Sequence, residues 1–308
     1  MGCGVIAAMH WKALGLAALL PLASTASSAP QLKAKVPTGL HPCGAAAGLG
    51  SVWVANYDSG SLVRIDPRLN RVSRRIRLAP GVCPVAVSSG SVWVANDKTD
   101  VVYRVDPRRG RILTRLRVAH WPAHFAVGAG SVWVSNYEHG LVLRFNPRSG
   151  RMTRAYKFSG NPSGLAVLHG QLWVAFGRGT SLGRVDLATG AFTRFPLGHK
   201  SPGFLVAIDG DLWTSTADGF VLRVAGRTGH VIATFAVPGT PAEVAAGPGG
   251  IVWAAEKERN TLTRIDPVAN RIVDVTGAGP GAFSVVLAAG DMWVTSFAGN
   301  DVWRFAGG

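Results

Sequence analysis

The sequence predicts an all-β fold, a seven-bladed β-propeller with four-stranded blades, and three observations carry that prediction. Trp53, Trp93, Trp133, Trp173, Trp213, Trp253 and Trp293 stand forty residues apart without a slip. The text around them repeats, as SVWVAN at 51–56 and 91–96 and SVWVSN at 131–136. Each unit holds four short apolar runs, the mark of a propeller blade at a period of about forty. Seven units bury a core as one domain, so the 308 residues need no division beyond a leader.

The leader comes first. Residues 1–29 read as a secretory signal peptide: Lys12 precedes the apolar run Ala13–Ala23, and small residues follow over Ser24–Ala29. The run is too short to be a permanent membrane span. Residues 30–308 are then the propeller, and the location expected is secreted or periplasmic.

The first unit serves as the pattern for the rest. Ala45–Leu49, rich in small residues, suits the crowded inner strand beside the channel. Gly50 turns the chain into Ser51–Asn56, the tryptophan strand. Ser61–Ile65 is the third strand, and Arg71–Leu78 the outer one. Between these last two lies Asp66-Pro67-Arg68-Leu69-Asn70, where proline presets φ and the acidic and amide side chains accept local hydrogen bonds. That turn recurs at Asp106-Pro107, Asn146-Pro147 and Asp266-Pro267. An arginine recurs two residues before it, at Arg64, Arg104, Arg144, Arg184, Arg264 and Arg304, with Arg223 one place early. The expectation is a structural arginine serving its own blade's turn.

The seventh unit stops after its third strand, Asp301–Phe305. Stepping back forty residues from the outer strand of the first blade lands on Gln31–Thr38, which has strand alternation and no other use. The ring should therefore close by pairing that N-terminal strand with the last blade.

Cysteine and charge narrow the setting. Cys3 belongs to the leader, which leaves Cys43 and Cys83, forty apart and each ten residues before its tryptophan. They occupy equivalent sites in adjacent blades, and an oxidising compartment lets them form a disulfide. The formal net charge is +15, and residues 61–160 hold eighteen Lys and Arg against five Asp and Glu. Such a field favours an anionic envelope polymer or lipid headgroup, and export argues against nucleic acid. The competing reading is that the arginines guard exposed outer strands against edge-to-edge pairing. The chain is expected to act as a monomer.

The repeat resembles two related bacterial groups. VWVAN followed by LVRIDPRLNRV is similar to the YVTN-type repeat proteins, and the blade plan resembles the streptogramin B (virginiamycin B) lyases, over residues 31–308. In the lyases a Glu-Pro-His run, a second Pro-His and a glutamate after a blade tryptophan carry magnesium and the base. Here the matching stretches are His41-Pro42-Cys43, Cys83-Pro84-Val85, Pro122-Ala123-His124, Pro162-Ser163-Gly164, Pro202-Gly203-Phe204, Pro241-Ala242-Glu243 and Pro280-Gly281-Ala282, with no Pro-His pair. His124 follows its proline by two places and so should face the other side of its strand. Only Trp253-Ala-Ala-Glu256 keeps a blade glutamate.

The channel mouth is where the sequence gathers hydrogen-bonding groups. His41, His120, His124 and His199 lie in segments leading into inner strands, while His139 lies in a turn between second and third strands. The ligand-binding candidates are His124, Glu243, Trp121, Tyr137, Asn136, Arg178 and Glu256, with His124 and Glu243 the most singular. Asn56, Asn96 and Asn136 repeat in register, which fits turn capping, and Tyr57 and Tyr137 fit a covering role over neighbouring loops. No Gly-rich phosphate loop, Ser-His-Asp order or Cys-x-x-Cys pair appears. The reading favoured is non-catalytic binding of a small polar ligand or a peptide or protein loop, with no cofactor. The alternative is a divergent lyase, with His124 as base and Glu243 and Glu256 holding magnesium.

Overall fold

The computed structural model describes residues 29–118 and 120–307, so the leader reading for residues 1–28, Cys3 included, lies outside it. Seven four-stranded antiparallel sheets form the ring. Six follow chain order, starting with Pro42–Gly48, Ser51–Asn56, Ser61–Asp66 and Arg71–Arg77. The seventh joins Ala282–Ala288, Asp291–Ser296 and Asp301–Phe305 to the N-terminal strand Leu32–Pro37.

The closure runs in the expected register, with Ala34 opposite Arg304, Val36 opposite Val302 and Pro37 opposite Asp301. Lys33 Nζ reaches Asp291 at 2.7 Å, and Lys35 Nζ lies 3.9 Å from the centroid of the Trp303 ring. The first strand thus ties both chain ends into one blade.

The core lies between blades rather than within them. Trp53 packs with Val92, Val94, Tyr103 and Val105 of the next blade, and Trp293 packs with Val52 and Val54 across the closure. The seven tryptophans of the forty-residue repeat are 0–1 % exposed. Both faces of every blade are therefore apolar, which explains why the second strand reads as an unbroken buried run rather than an alternating one.

The recurrent arginine pairs across the sheet with its blade's tryptophan, Arg64 with Trp53 and Arg304 with Trp293. Its guanidinium covers the indole, 5.2 Å from the ring centroid at Arg144 and 5.0 Å at Arg304. In the fourth, fifth and seventh blades it reaches the next blade's turn, which corrects there the expectation that it serves its own, while Arg64, Arg104 and Arg144 donate to Ser51, Ser91 and Ser131 at the start of their own second strands. Arg304 donates to Pro67 O and Asn70 Oδ1, Arg223 to Pro267 O, and Arg184 to Arg227 O. Arg223 still faces Trp213, so its early place in the sequence is absorbed by a shorter turn before it. At Arg184, Arg223 and Arg304 the arginine thus joins the tryptophan packing to the neighbouring blade.

Turn chemistry follows the sequence closely. Asp66 Oδ1 accepts from Arg68 N, and Asp106 Oδ1 accepts from Arg108 N and Arg109 N. The basic outer strands are exposed, and part of their charge is spent locally: Arg74 donates to Arg109 O, and Arg75 to Ser61 Oγ and Thr38 O. Among the described residues no helix is long and apolar enough to cross a membrane.

Candidate functional site at the channel mouth

Every inner strand begins with a register shift where it meets the channel mouth, between Pro42 and Ala45 in the first blade and between Pro202 and Leu205 in the fifth. A bulge puts an extra residue against its partner strand and re-aims side chains. The residues just inside these bulges form a ring around the axis: Gly44, Pro84, His124, Gly164, Phe204, Glu243 and Ser284. Glu243 joins it because Val244 pairs with Ala254 as Ala45 pairs with Val54. Its strand runs one residue short, and a 3₁₀ turn at Pro248–Gly250 restores the period before Trp253.

Close approach governs this ring. A Cβ on Gly44 would lie 2.1 Å from Cys83 O, and one on Gly164 would lie 2.3 Å from Gly203 O. Only glycine fits where neighbouring inner strands touch. The same crowding brings Cys43 and Cys83 to a Cα separation of 5.0 Å, within the range a disulfide spans, and they are bonded.

Two cavities meet at the ring. The mouth cavity, about 370 Å³, opens among Tyr57, Asp97, Trp121, Lys257, Phe283 and Phe297. The lower cavity, about 460 Å³, is walled largely by aliphatic side chains such as Val127, Val167, Val206 and Leu287. Val85, His124, Phe125, Phe204 and Glu243 line both. The bulge between Pro122 and His124 overrides simple alternation and puts His124 on the channel wall.

His124 is held in one tautomer. Leu165 N–H donates to its Nδ1 at 3.2 Å, so the proton of the neutral ring sits on Nε2. Burial pushes its pKa down to about 4. At neutral pH it is an uncharged hydrogen-bond donor with its second nitrogen occupied. The Phe204 ring stands edge-on to it at 5.4 Å, and Phe283 stands edge-on to Phe204 at 5.7 Å.

Glu243 is deep but touches the cavity. Burial raises its pKa to about 7, opposed by bonds from Ser284 and the Val285 backbone N–H. No cation pairs with it among the described residues. Asp97 is also raised by burial, and Tyr57 Oη donates to it at 3.0 Å. Tyr57 itself is pushed up to about 12, chiefly by burial and then by the Asp97 charge. Lys257 Nζ lies 4.6 Å from the Phe297 centroid and 5.6 Å from that of Phe283.

Of the sequence candidates, His124, Glu243 and Trp121 line the mouth cavity, and Tyr137, Asn136, Arg178 and Glu256 do not. Tyr137 backs Trp121 at 5.4 Å, and Arg178 covers Tyr137 and pairs with Glu138 at 3.0 Å. Asn136 is buried and donates to His120 O. Glu256 is fully buried in the register of Asn56 and Asn96, and it accepts from Thr261 Oγ1 at 2.6 Å. Burial raises its pKa to about 7.

Magnesium, which the lyase resemblance implies, would need His124, Glu243 and Glu256 in roles that the geometry keeps apart. Glu256 lies off the cavity, and among the described residues no three His, Cys, Asp or Glu side chains converge to hold a metal ion. The donor set does not fit the ion.

Sequence reasoning missed Asp97, Lys257, Phe204, Phe283 and Phe297 as mouth residues. For Asp97, Lys257 and Phe297 the signal was present in one column, the residue after each tryptophan strand: Tyr57, Asp97, Tyr137, Gly177, Ala217, Lys257 and Phe297. Four of these seven line the cavity.

No protein-family model matches the chain, and no curated protein matches its sequence. Solved structures do. Virginiamycin B lyase from Staphylococcus aureus superposes with a TM-score of 0.78 at 16% identity, over 90% of this chain and 99% of that one. A catalytically inactive variant of that enzyme with quinupristin gives 0.78 at 17%, with the same coverage. Hydrazine synthase from Kuenenia stuttgartiensis gives 0.76 at 16%, over 86% and 95%. The WD40 propeller domain of Doa1 gives 0.76 at 16%, over 90% and 97%. This chain shares a propeller fold with all of them. The likeness spans an enzyme and a WD40 domain alike, so it carries the architecture alone.

Proposed function

We propose that this protein is an exported, non-catalytic β-propeller that binds a small polar ligand or a peptide loop in its mouth cavity. The carrying observation is the cavity itself, in which aromatic faces surround Glu243, Asp97, Lys257 and the Nε2–H of His124. Concave, largely apolar sites with a few convergent polar groups are the usual form of a ligand pocket. The disulfide and the leader-like N-terminus support export.

The geometry of His124 argues against its service as a base. Taking a proton on Nδ1 would break the Leu165 bond and charge a buried ring. One observation favours the lyase alternative, a Glu243 carboxyl poised near neutrality inside a cavity, where a general acid or base works best. Incubation with quinupristin and magnesium, followed by mass spectrometry for the linearised product, separates the two. We expect no product. Turnover abolished by Glu243→Gln or His124→Ala would overturn the binding reading.

A further inference from the structure

We propose that the mouth cavity takes a zwitterion with an aromatic side chain, of the class of a free amino acid or a short peptide bearing both its ends. This deepens the binding reading above and rests on it.

Three features of the cavity carry the inference. First, one carboxyl group faces it without an ion-pair partner among the described residues: Glu243 is bonded by Ser284 and Val285, whereas Asp97 accepts from Tyr57 and feels the charge of Lys98. A desolvated carboxylate bonded only by neutral donors is completed by a cation. Second, the cavity also holds a lysine. Lys257 rests on the Phe283 and Phe297 faces and has no ion-pair partner among the described residues. A simple organic cation would meet Lys257 as a like charge, whereas a ligand carrying both signs satisfies the acid and the lysine together. Third, the remaining wall is aromatic: Trp121 is 47% exposed at the rim, and Phe204, Phe283 and Phe297 form a connected arc. Such surfaces pair well with a ligand's aromatic ring, offset-stacked or edge-to-face. The volume, about 370 Å³, stands at the small end of ligand pockets, which run from about 300 to 1,000 Å³.

The pairing is specific. The ligand's ammonium goes to Glu243, its carboxylate to Lys257, and its ring to Phe204 and Trp121, with His124 Nε2–H free to donate to the peptide carbonyl when the ligand is a dipeptide.

The test is a calorimetric titration with four compounds: phenylalanyl-phenylalanine, its N-acetyl form, its C-terminal amide, and the form blocked at both ends. The free dipeptide should bind most tightly, and each block should weaken binding at least tenfold. Glu243→Gln should remove the penalty for acetylation alone, and Lys257→Met the penalty for amidation alone. Equal affinity across the four compounds, or no binding of any, overturns the inference. The broader reading has its own readout. Trp121 emission, taken as wild type minus Trp121→Phe, is followed through a general fragment collection. If uncharged fragments move it while the dipeptide does not, mouth binding stands and the zwitterion inference falls. If nothing moves it, both fall.

Discussion

Replacing Glu256 by Gln isolates what one buried carboxyl does to the ring. Glu256 has no surface exposure, accepts from Thr261 Oγ1 and lies beside the Thr263 hydroxyl. Its pKa rises from 4.5 to about 7 because burial disfavours the ionised form. The folded state therefore holds this proton more tightly than the unfolded chain. The stability so gained is full below about pH 4.5 and is lost as pH rises towards 7. A rise of that size corresponds to about 3 kcal/mol at most. Glutamine keeps an acceptor for Thr261 and cannot ionise, so E256Q escapes the loss, with a fixed offset of about 1–3 kcal/mol if its amide N–H₂ stays unpaired. The readout is the slope rather than the offset. In chemical denaturation at a series of pH values, the difference between variant and wild type should grow by about 2.5 kcal/mol from pH 5 to pH 8.5. Glu243 titrates in both proteins and cancels. A difference that is flat with pH would refute the assignment of Glu256 as a buried, proton-holding structural group.

Other perturbations test separate parts of the account. Cys43→Ala with Cys83→Ala should lower stability by roughly 4 kcal/mol at most, the loop-closure value for a forty-residue loop, and thiol titration of unreduced protein should find neither cysteine free. Deleting residues 29–38 removes the strand paired with Asp301–Phe305, so thermal unfolding should shift sharply downward, and an unchanged midpoint would sink the closure. Gly164→Ala places a Cβ against the Gly203 carbonyl and should cost about 1–3 kcal/mol by overpacking, read from its denaturation midpoint. At low ionic strength the protein should sediment with anionic vesicles through its exposed outer-strand arginines and come off at physiological salt, where screening acts over about 8 Å; retention at that salt would mark a built anionic site.

The tryptophan period revealed the blades because each indole must occupy one kind of site, the apolar seam between neighbouring sheets. Closure was legible for a related reason: a missing outer strand leaves an edge, and one segment alone fitted it. That Arg184, Arg223 and Arg304 reach the next blade's turn was not legible, since doing so depends on the angle between sheets. The site was harder still. Position two after a proline suggested that His124 turns away, but the bulge at Pro122 reverses that. Glu243 joins the His124 ring through a one-residue slip that the turn at Pro248–Gly250 cancels before the next tryptophan. Glu256 stood out as a lone carboxylate in sequence, yet its register makes it a buried replacement for the capping Asn56 and Asn96. Lys257, Asp97 and Phe297 were overlooked because each is unlike its equivalents in other blades, and a repeat search favours what recurs.

The most direct measurement of the central claim is a ligand screen read at the site. Crystals of the wild-type protein and of Glu243→Ala would be soaked with the same collection of small polar and aromatic compounds. Ligands should appear in the wild-type mouth between Trp121, Phe204 and Phe297, within hydrogen-bond distance of Glu243, and should be lost or weakened in the variant. Ligands that gather elsewhere, or a mouth left empty by every compound, would contradict it.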